Sequence, residues 1–104
     1  MQFEEMLTRP RAIRDRYATL EAGRYGRGWT REEIMLGFLG DVGDLAKLIQ
    51  AAEGVRDVSD AHAKLAHELA DCLWSVIVLA DAYGIDLAAA FTRTMDELDA
   101  RLSE

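Results

Sequence analysis

Glu68-Leu69-Ala70-Asp71-Cys72-Leu73-Trp74-Ser75-Val76-Ile77-Val78-Leu79-Ala80 opens with two carboxylates three residues apart, then turns apolar nearly all the way round. Neither glycine nor proline interrupts it, so it reads as the body of a long helix reaching to about Tyr83 and stopped by Gly84. A helix that is greasy on every side must be buried on every side. In 104 residues, four helices barely enclose one of their number, so a second copy of the chain is expected to cover part of it.

Outward from this segment, Asp86 caps a following helix whose Leu87, Phe91, Met95, Leu98 and Leu102 keep the helical period. Upstream, Val55 to Asp60 is a short connection, with Ser59 or Asp60 as the cap of the central helix. Before it, Thr30 and Glu33 form a Thr-x-x-Glu capping box that starts a helix through Ile34, Phe38, Val42, Leu45 and Ile49, ending before Gly54. The first helix is expected from Phe3 to Ala22, with Ile13, Tyr17 and Leu20 as its apolar seam; Pro10 kinks it or marks its true start. Gly23 to Trp29, with three glycines, reads as a loop. No strand and no repeat is evident. The expectation is an all-α, antiparallel four-helix bundle-like protomer, a single domain over 1–104, assembling into a homodimer or homotetramer.

A formal charge of −7 argues against binding a nucleic-acid polymer, whose phosphates want a basic surface. It leaves a nucleotide ligand open, because a bound cation reverses the local field. No apolar run is long enough to span a bilayer, and Met1-Gln2-Phe3-Glu4-Glu5 lacks the basic and apolar regions of a signal peptide. The one cysteine, Cys72, excludes an internal disulfide and fits a reducing cytoplasm. It lies on an apolar arc and reads as a small core residue.

Two acidic pairs carry the chemistry: Asp41-Val42-Gly43-Asp44 and Glu68-Leu69-Ala70-Asp71. Residues three apart share a helix face, and both pairs fall on the flank of an apolar arc. If the two helices pack side by side, four carboxylates converge, and a hard divalent cation with oxygen ligands, Mg²⁺ or Mn²⁺, is the natural counter-charge. The bland alternative is a solvated acidic face, in a chain with 19 acidic residues. Gly37, Gly40 and Gly43 recur within the same helix at a cost of roughly 1 kcal/mol each relative to alanine, which implies close approach by another helix or a ligand.

With these motifs in place, Arg31 to Ala52 followed by Leu65 to Leu102 resembles the MazG-like all-α nucleoside triphosphate pyrophosphohydrolases. That family carries Glu-Glu-x-x-Glu and, farther on, Glu-x-x-Asp; here the second motif matches as Glu68-Leu69-Ala70-Asp71, followed by Cys72-Leu73-Trp74. The first departs as Gly40-Asp41-Val42-Gly43-Asp44, with glycine where the first glutamate would stand and aspartates one methylene shorter. Gly84-Ile85-Asp86-Leu87 and Phe91 to Arg101 resemble the family's closing helix. The resemblance implies Mg²⁺-dependent hydrolysis of a nucleoside triphosphate to monophosphate and pyrophosphate, as nucleotide-pool house-cleaning. Asp41, Asp44, Glu68 and Asp71 would be the metal ligands, with Asp41 or Asp44 also holding the attacking water as general base. The departures leave open a degenerate relative that binds nucleotide or metal without turnover, or a helical interaction module.

Arg24 and Arg27, with Arg31, Tyr25 and Trp29, form a basic and aromatic cluster suited to phosphate and base, or to balancing nearby acids. Trp74, one turn past Asp71, is a candidate for base contact or subunit packing, and Lys47, one turn past Asp44, for phosphate contact or solvent. His62 and His67 are five apart and do not share a face, so no zinc site is expected.

Overall fold

The computed structural model describes residues 2–103; Met1 and Glu104, the ends of the expected domain, lie outside the described residues. The chain is all-helical there: α1 (Phe3–Tyr25), α2 (Arg31–Ala52), α3 (Ala61–Ala82) and α4 (Leu87–Leu102), with no strand among the described residues.

Local chemistry sets most of the boundaries. Thr30 Oγ1 accepts from Glu33 N at 3.1 Å while Glu33 Oε1 accepts from Thr30 N at 3.0 Å, so the expected capping box starts α2. Asp86 caps α4 by accepting from Ala89 N. Gly54 and Gly84 take left-handed φ values of 76° and 65°, and the next residue's N–H closes back on the helix, Val55 N to Gln50 O and Ile85 N to Ala80 O. Both are glycine-terminated helix ends of the Schellman type.

The extent and inward face of α1 and the cap of α3 differ from expectation. α1 runs through Gly23 to Tyr25 and stops at Gly26 (φ 80°), whose N–H reaches Ala22 O; Pro10 lies inside it. The second glycine, not the first, is placed where the last carbonyls need a left-handed partner. The expected α1 seam of Ile13, Tyr17 and Leu20 is exposed at 38, 49 and 63 %. The inward stripe is instead Phe3, Leu7, Pro10, Arg14, Ala18 and Glu21, spaced four and three apart, with Phe3 meeting Phe91 of α4 at a ring separation of 6.3 Å. Finally, Asp60 occupies the N-cap of α3 in the left-handed region (φ 53°, ψ 38°), a conformation aspartate tolerates, and its side chain makes no cap bond.

α3 is the spine: α2 packs against it most extensively, α1 less so, and α4 touches it least. Arg31 at the start of α2 stacks on Tyr83 just past the end of α3, at 4.8 Å. Farther along, Asp44 of α2 meets Glu68 of α3, so the two helices pair start to end. The core holds Leu48, Ile77, Val78 and Ala80 with the buried Ser75. The half-buried Ile34, Phe38 and Leu45 line the same side of α2 as Leu48.

α3 is not covered on every side, since Leu69, Leu73 and Val76 are 52, 40 and 37 % exposed. The expected α2 positions Val42 and Ile49 are likewise outside the core, on a second stripe about 100° round the helix. The chain bends by 108° between α3 and α4, so the short link does not return α4 antiparallel to α3. The radius of gyration is 16.6 Å, against about 13 Å for a compact chain of this length. The accessible surface is 7866 Å², against about 5,800 Å² expected from the mass. No single helix among the described residues is long and apolar enough to cross a membrane.

Candidate functional site

The pairing of α2 with α3 decides where the acids go. Asp41 lies between Phe38 and Leu45 on the inward side of α2, three and four residues from them, and is therefore half-buried beside α3. Glu68 comes in half-buried from α3, and Asp44 reaches the pair from the exposed flank of α2. One oxygen from each of Asp41, Asp44 and Glu68 lies within 4.8 Å of the others. Asp71 is turned aside: its Oδ2 lies 3.2 Å from His67 Nε2, one helical turn back. It remains near enough for its charge to act on both Asp41 and Glu68.

The electrostatics follow from the crowding. Burial, then the charges of Asp71 and Asp44, pushes the Asp41 carboxyl above its usual range. Glu68 is pushed up by burial first and then by Asp71, Asp41 and Asp44, with His67 acting weakly the other way. Glu68 Oε2 is buried with no hydrogen-bond partner, and none of Asp41, Asp44 and Glu68 forms an ion pair among the described residues. An orphaned buried carboxylate oxygen facing two further carboxylates is what a cation site leaves when its protein ligands are considered alone. The donors are all hard oxygens, which suits Mg²⁺ or Mn²⁺, and octahedral ligands about 2.1 Å from Mg²⁺ sit about 3–4 Å apart, close to the span found here. Burial first, then the charges of Asp41, Glu68 and Asp71, also raises the half-buried Cys72 thiol, which disfavours the thiolate a nucleophile would need.

Two hollows flank the acids. On the α1 side, a cavity of about 330 Å³ is walled by Tyr17, Trp29, Phe38 and Trp74, with Asp41 and Arg24 at its edge. The Tyr17 and Trp74 rings stand 6.0 Å apart. Arg14 fixes this wall: its Nη1 and Nη2 donate to Glu21 Oε2 and Oε1, each at 2.9 Å, and Trp29 N donates to Oε1 at 2.8 Å. The guanidinium bonds first, and then the Trp29 amide, hold the Glu21 carboxyl below its usual range despite burial. On the other side, an open hollow of about 600 Å³ joins Asp44 and Glu68 to Lys47, Arg56, Lys64 and His67.

Of the residues singled out from sequence, Asp41, Asp44 and Glu68 are thus brought together, with Asp71 beside them. Arg24 and Trp74 reach the aromatic cavity, and Lys47 reaches the open hollow. Arg27 reaches neither: Nη1 donates to Glu33 Oε1 at 2.6 Å, so it braces the capping box and helps hold Glu33 down to about 2. Gly37 is approached by Trp29, whose Cζ3 would stand 3.6 Å from an added Cβ, whereas Gly40 and Gly43 face open space in the single chain. Sequence reading missed Arg14, Glu21 and Arg56. For the first two the available signal was their spacing of seven, two turns apart on the stripe of Leu7, Pro10 and Ala18. For Arg56, in a short loop, there was none.

Neither curated proteins nor solved structures give a significant match to this chain. A family model does, over residues 29–103, spanning both acidic pairs and all of α2, α3 and α4, and leaving α1 outside the matched region. The chain belongs to the MazG nucleotide pyrophosphohydrolase domain family.

Proposed function

We propose that the protein hydrolyses a nucleoside triphosphate to the monophosphate and pyrophosphate, with Mg²⁺ (or Mn²⁺) held by Asp41, Asp44, Glu68 and Asp71. One observation carries this reading: a carboxylate cluster with a buried, partnerless oxygen lies between an aromatic cavity and a hollow that carries Lys47, Arg56 and Lys64. The cavity matches a base and the cluster matches the metal-bound phosphates. When bound, the cation would neutralise phosphate oxygens and acidify a water. Asp41, whose proton affinity is raised by burial and by neighbouring carboxylates, takes a proton from the attacking water in this reading. The water oxygen bonds to the α-phosphorus as the bond to the β-phosphoryl oxygen breaks, and pyrophosphate leaves. Asp71, now beside His67, would complete the ligand set. Tyr17 and Trp74 offer ring faces to the base, while Arg24 neighbours the sugar or phosphate.

The working unit in this reading is a homo-oligomer. On α2, Met35, Leu39, Val42, Ala46 and Ile49 are exposed at alternating spacings of four and three, and on α3 so are Ala66, Leu69, Leu73 and Val76. Such stripes are seams for helix-on-helix packing. The surface excess over a compact monomer, roughly 2,000 Å², is of the size an obligate dimer buries per subunit.

A second reading, binding without turnover, is favoured by one feature: at Gly40 no carboxylate is present, although an added Cβ would meet nothing within 4 Å. Pyrophosphate release from a panel of ribo- and deoxynucleoside triphosphates with Mg²⁺ or Mn²⁺ separates the two. Release that Glu68→Ala abolishes is expected. Mn²⁺ uptake without release would support the second reading, and neither uptake nor release would leave a plain helical module.

A further inference from the structure

The family-matched acids account for one end of a substrate's phosphate chain, but the open hollow beyond them carries charge that this chemistry does not use. Lys47 from α2, Arg56 from the α2–α3 connection and Lys64 from the first turn of α3 converge on it. None of the three forms an ion pair among the described residues, although Asp44, Asp60 and Glu68 line the same hollow. Lys64 Nζ donates only to Ser59 Oγ, at 3.4 Å. In a chain of net charge −7, this hollow sets three uncommitted cations against three carboxylates, a local balance of charge where the rest of the chain is acidic.

The order of these cations relative to the acids gives the arrangement a direction. Asp41 borders the aromatic cavity, whereas Asp44 and Glu68 border the open hollow. A ligand laid with its base among Tyr17, Trp29 and Trp74 has its first phosphate at the acids and the rest of its chain over Lys47, Arg56 and Lys64. The hollow is also the wider and more open of the two, which suits a group that must depart after cleavage.

We propose that Arg56 and Lys64, with Lys47, form a subsite for the β- and γ-phosphates that selects triphosphates over diphosphates and holds pyrophosphate before release. It rests on the pyrophosphohydrolase reading above for the orientation of the substrate. Arginine supplies a planar fork for two phosphate oxygens and the lysines supply point charges, and each charged bond is worth about a tenfold change in affinity or more.

The test uses the full chain and the variants Arg56→Ala and Lys64→Ala, both at exposed side chains, with Arg9→Ala on α1 as a control for the lost charge. Two quantities are read: the affinity for inorganic pyrophosphate with Mg²⁺ by calorimetry, which needs no turnover, and kcat/KM for a triphosphate against its diphosphate. Expected is a loss of about tenfold per variant in pyrophosphate affinity and in the triphosphate-to-diphosphate ratio, with monophosphate affinity and the Arg9→Ala protein unchanged. Unchanged pyrophosphate affinity in both variants would overturn the subsite, as would monophosphate affinity falling in step. If the wild-type protein binds pyrophosphate through Arg56 and Lys64 yet cleaves no nucleotide, the subsite stands and the turnover reading fails. If it cleaves nucleotide and both variants behave as wild type, turnover stands and the subsite fails.

Discussion

Asp41 and Glu68 set the chemistry at the scale of single residues, because each is held half-buried among like charges. Their folded-state affinity for protons exceeds that of the unfolded chain, so the native state binds more protons once pH passes the ordinary values of 3.8 and 4.5. Stability therefore falls as pH rises through that window up to the raised values, and the loss is complete above them. A bound cation reverses this. Millimolar Mg²⁺ or Mn²⁺ should raise the melting temperature by several degrees at pH 7.5, and by less at pH 5, where protons compete for the same oxygens. Equal shifts at both pH values in a thermal melt would contradict the assignment. Glu68→Gln removes one repelling charge and keeps the shape. The cation-free variant should melt higher than wild type at pH 7.5, while turnover drops by about 100-fold or more. A melt and a pyrophosphate assay on the same sample check both halves.

Among the elements, the ends of the helices and the α1 clamp matter most. Thr30→Ala takes away the acceptor for the Glu33 amide and should cost about 1 kcal/mol, read as a lower denaturation midpoint at unchanged slope. Glu33 has the opposite sign of pH dependence from the metal-site acids. Its carboxyl is held down to about 2, first by Arg27 and then by Thr30, so the stability it confers is present above its ordinary value of 4.5 and lost as pH falls toward about 2. Acid melts of Glu33→Gln should be flatter across that interval. The Arg14–Glu21 pair is mostly enclosed, with side chains 17 and 12 % exposed, and it also secures the Trp29 amide. Arg14→Ala should cost about 1–2 kcal/mol by stranding Glu21 and should raise KM for nucleotide more than it lowers kcat, because the aromatic wall loosens while the acids stay in place. A kcat loss with unchanged KM would remove the wall from substrate binding.

For the whole molecule, the extended shape is the telling property. Two adjacent helices present apolar stripes at heptad spacing, and α4 leaves Phe91, Met95 and Leu98 at 56, 40 and 42 % exposure. A chain with that surface is expected to sediment as a dimer or tetramer, with a melting temperature that rises with concentration. Leu73→Glu, at the centre of the α3 stripe, should shift the sedimentation coefficient toward monomer at micromolar concentration. A monomeric wild-type protein would contradict the assembly.

Local signals were sufficient wherever the physics is local. The Thr30–Glu33 box, the Asp86 cap, the glycine stops at Gly54 and Gly84 and the pairing of acids at i and i+3 depend on residues within a turn of one another, and all were legible in the chain. So were four helices and the family resemblance, because apolar periodicity survives without knowing what covers it. Which stripe of α1 faces inward was not legible, since Arg14 and Glu21 enter the interior only by neutralising each other there. Nor was the turn of Asp71 toward His67, the partnerless Glu68 oxygen, or the convergence of Arg56 with Lys47 and Lys64. Those depend on how far apart α2 and α3 sit and where their connection folds. That is fixed by packing between residues distant in sequence, and only the tertiary structure decides it.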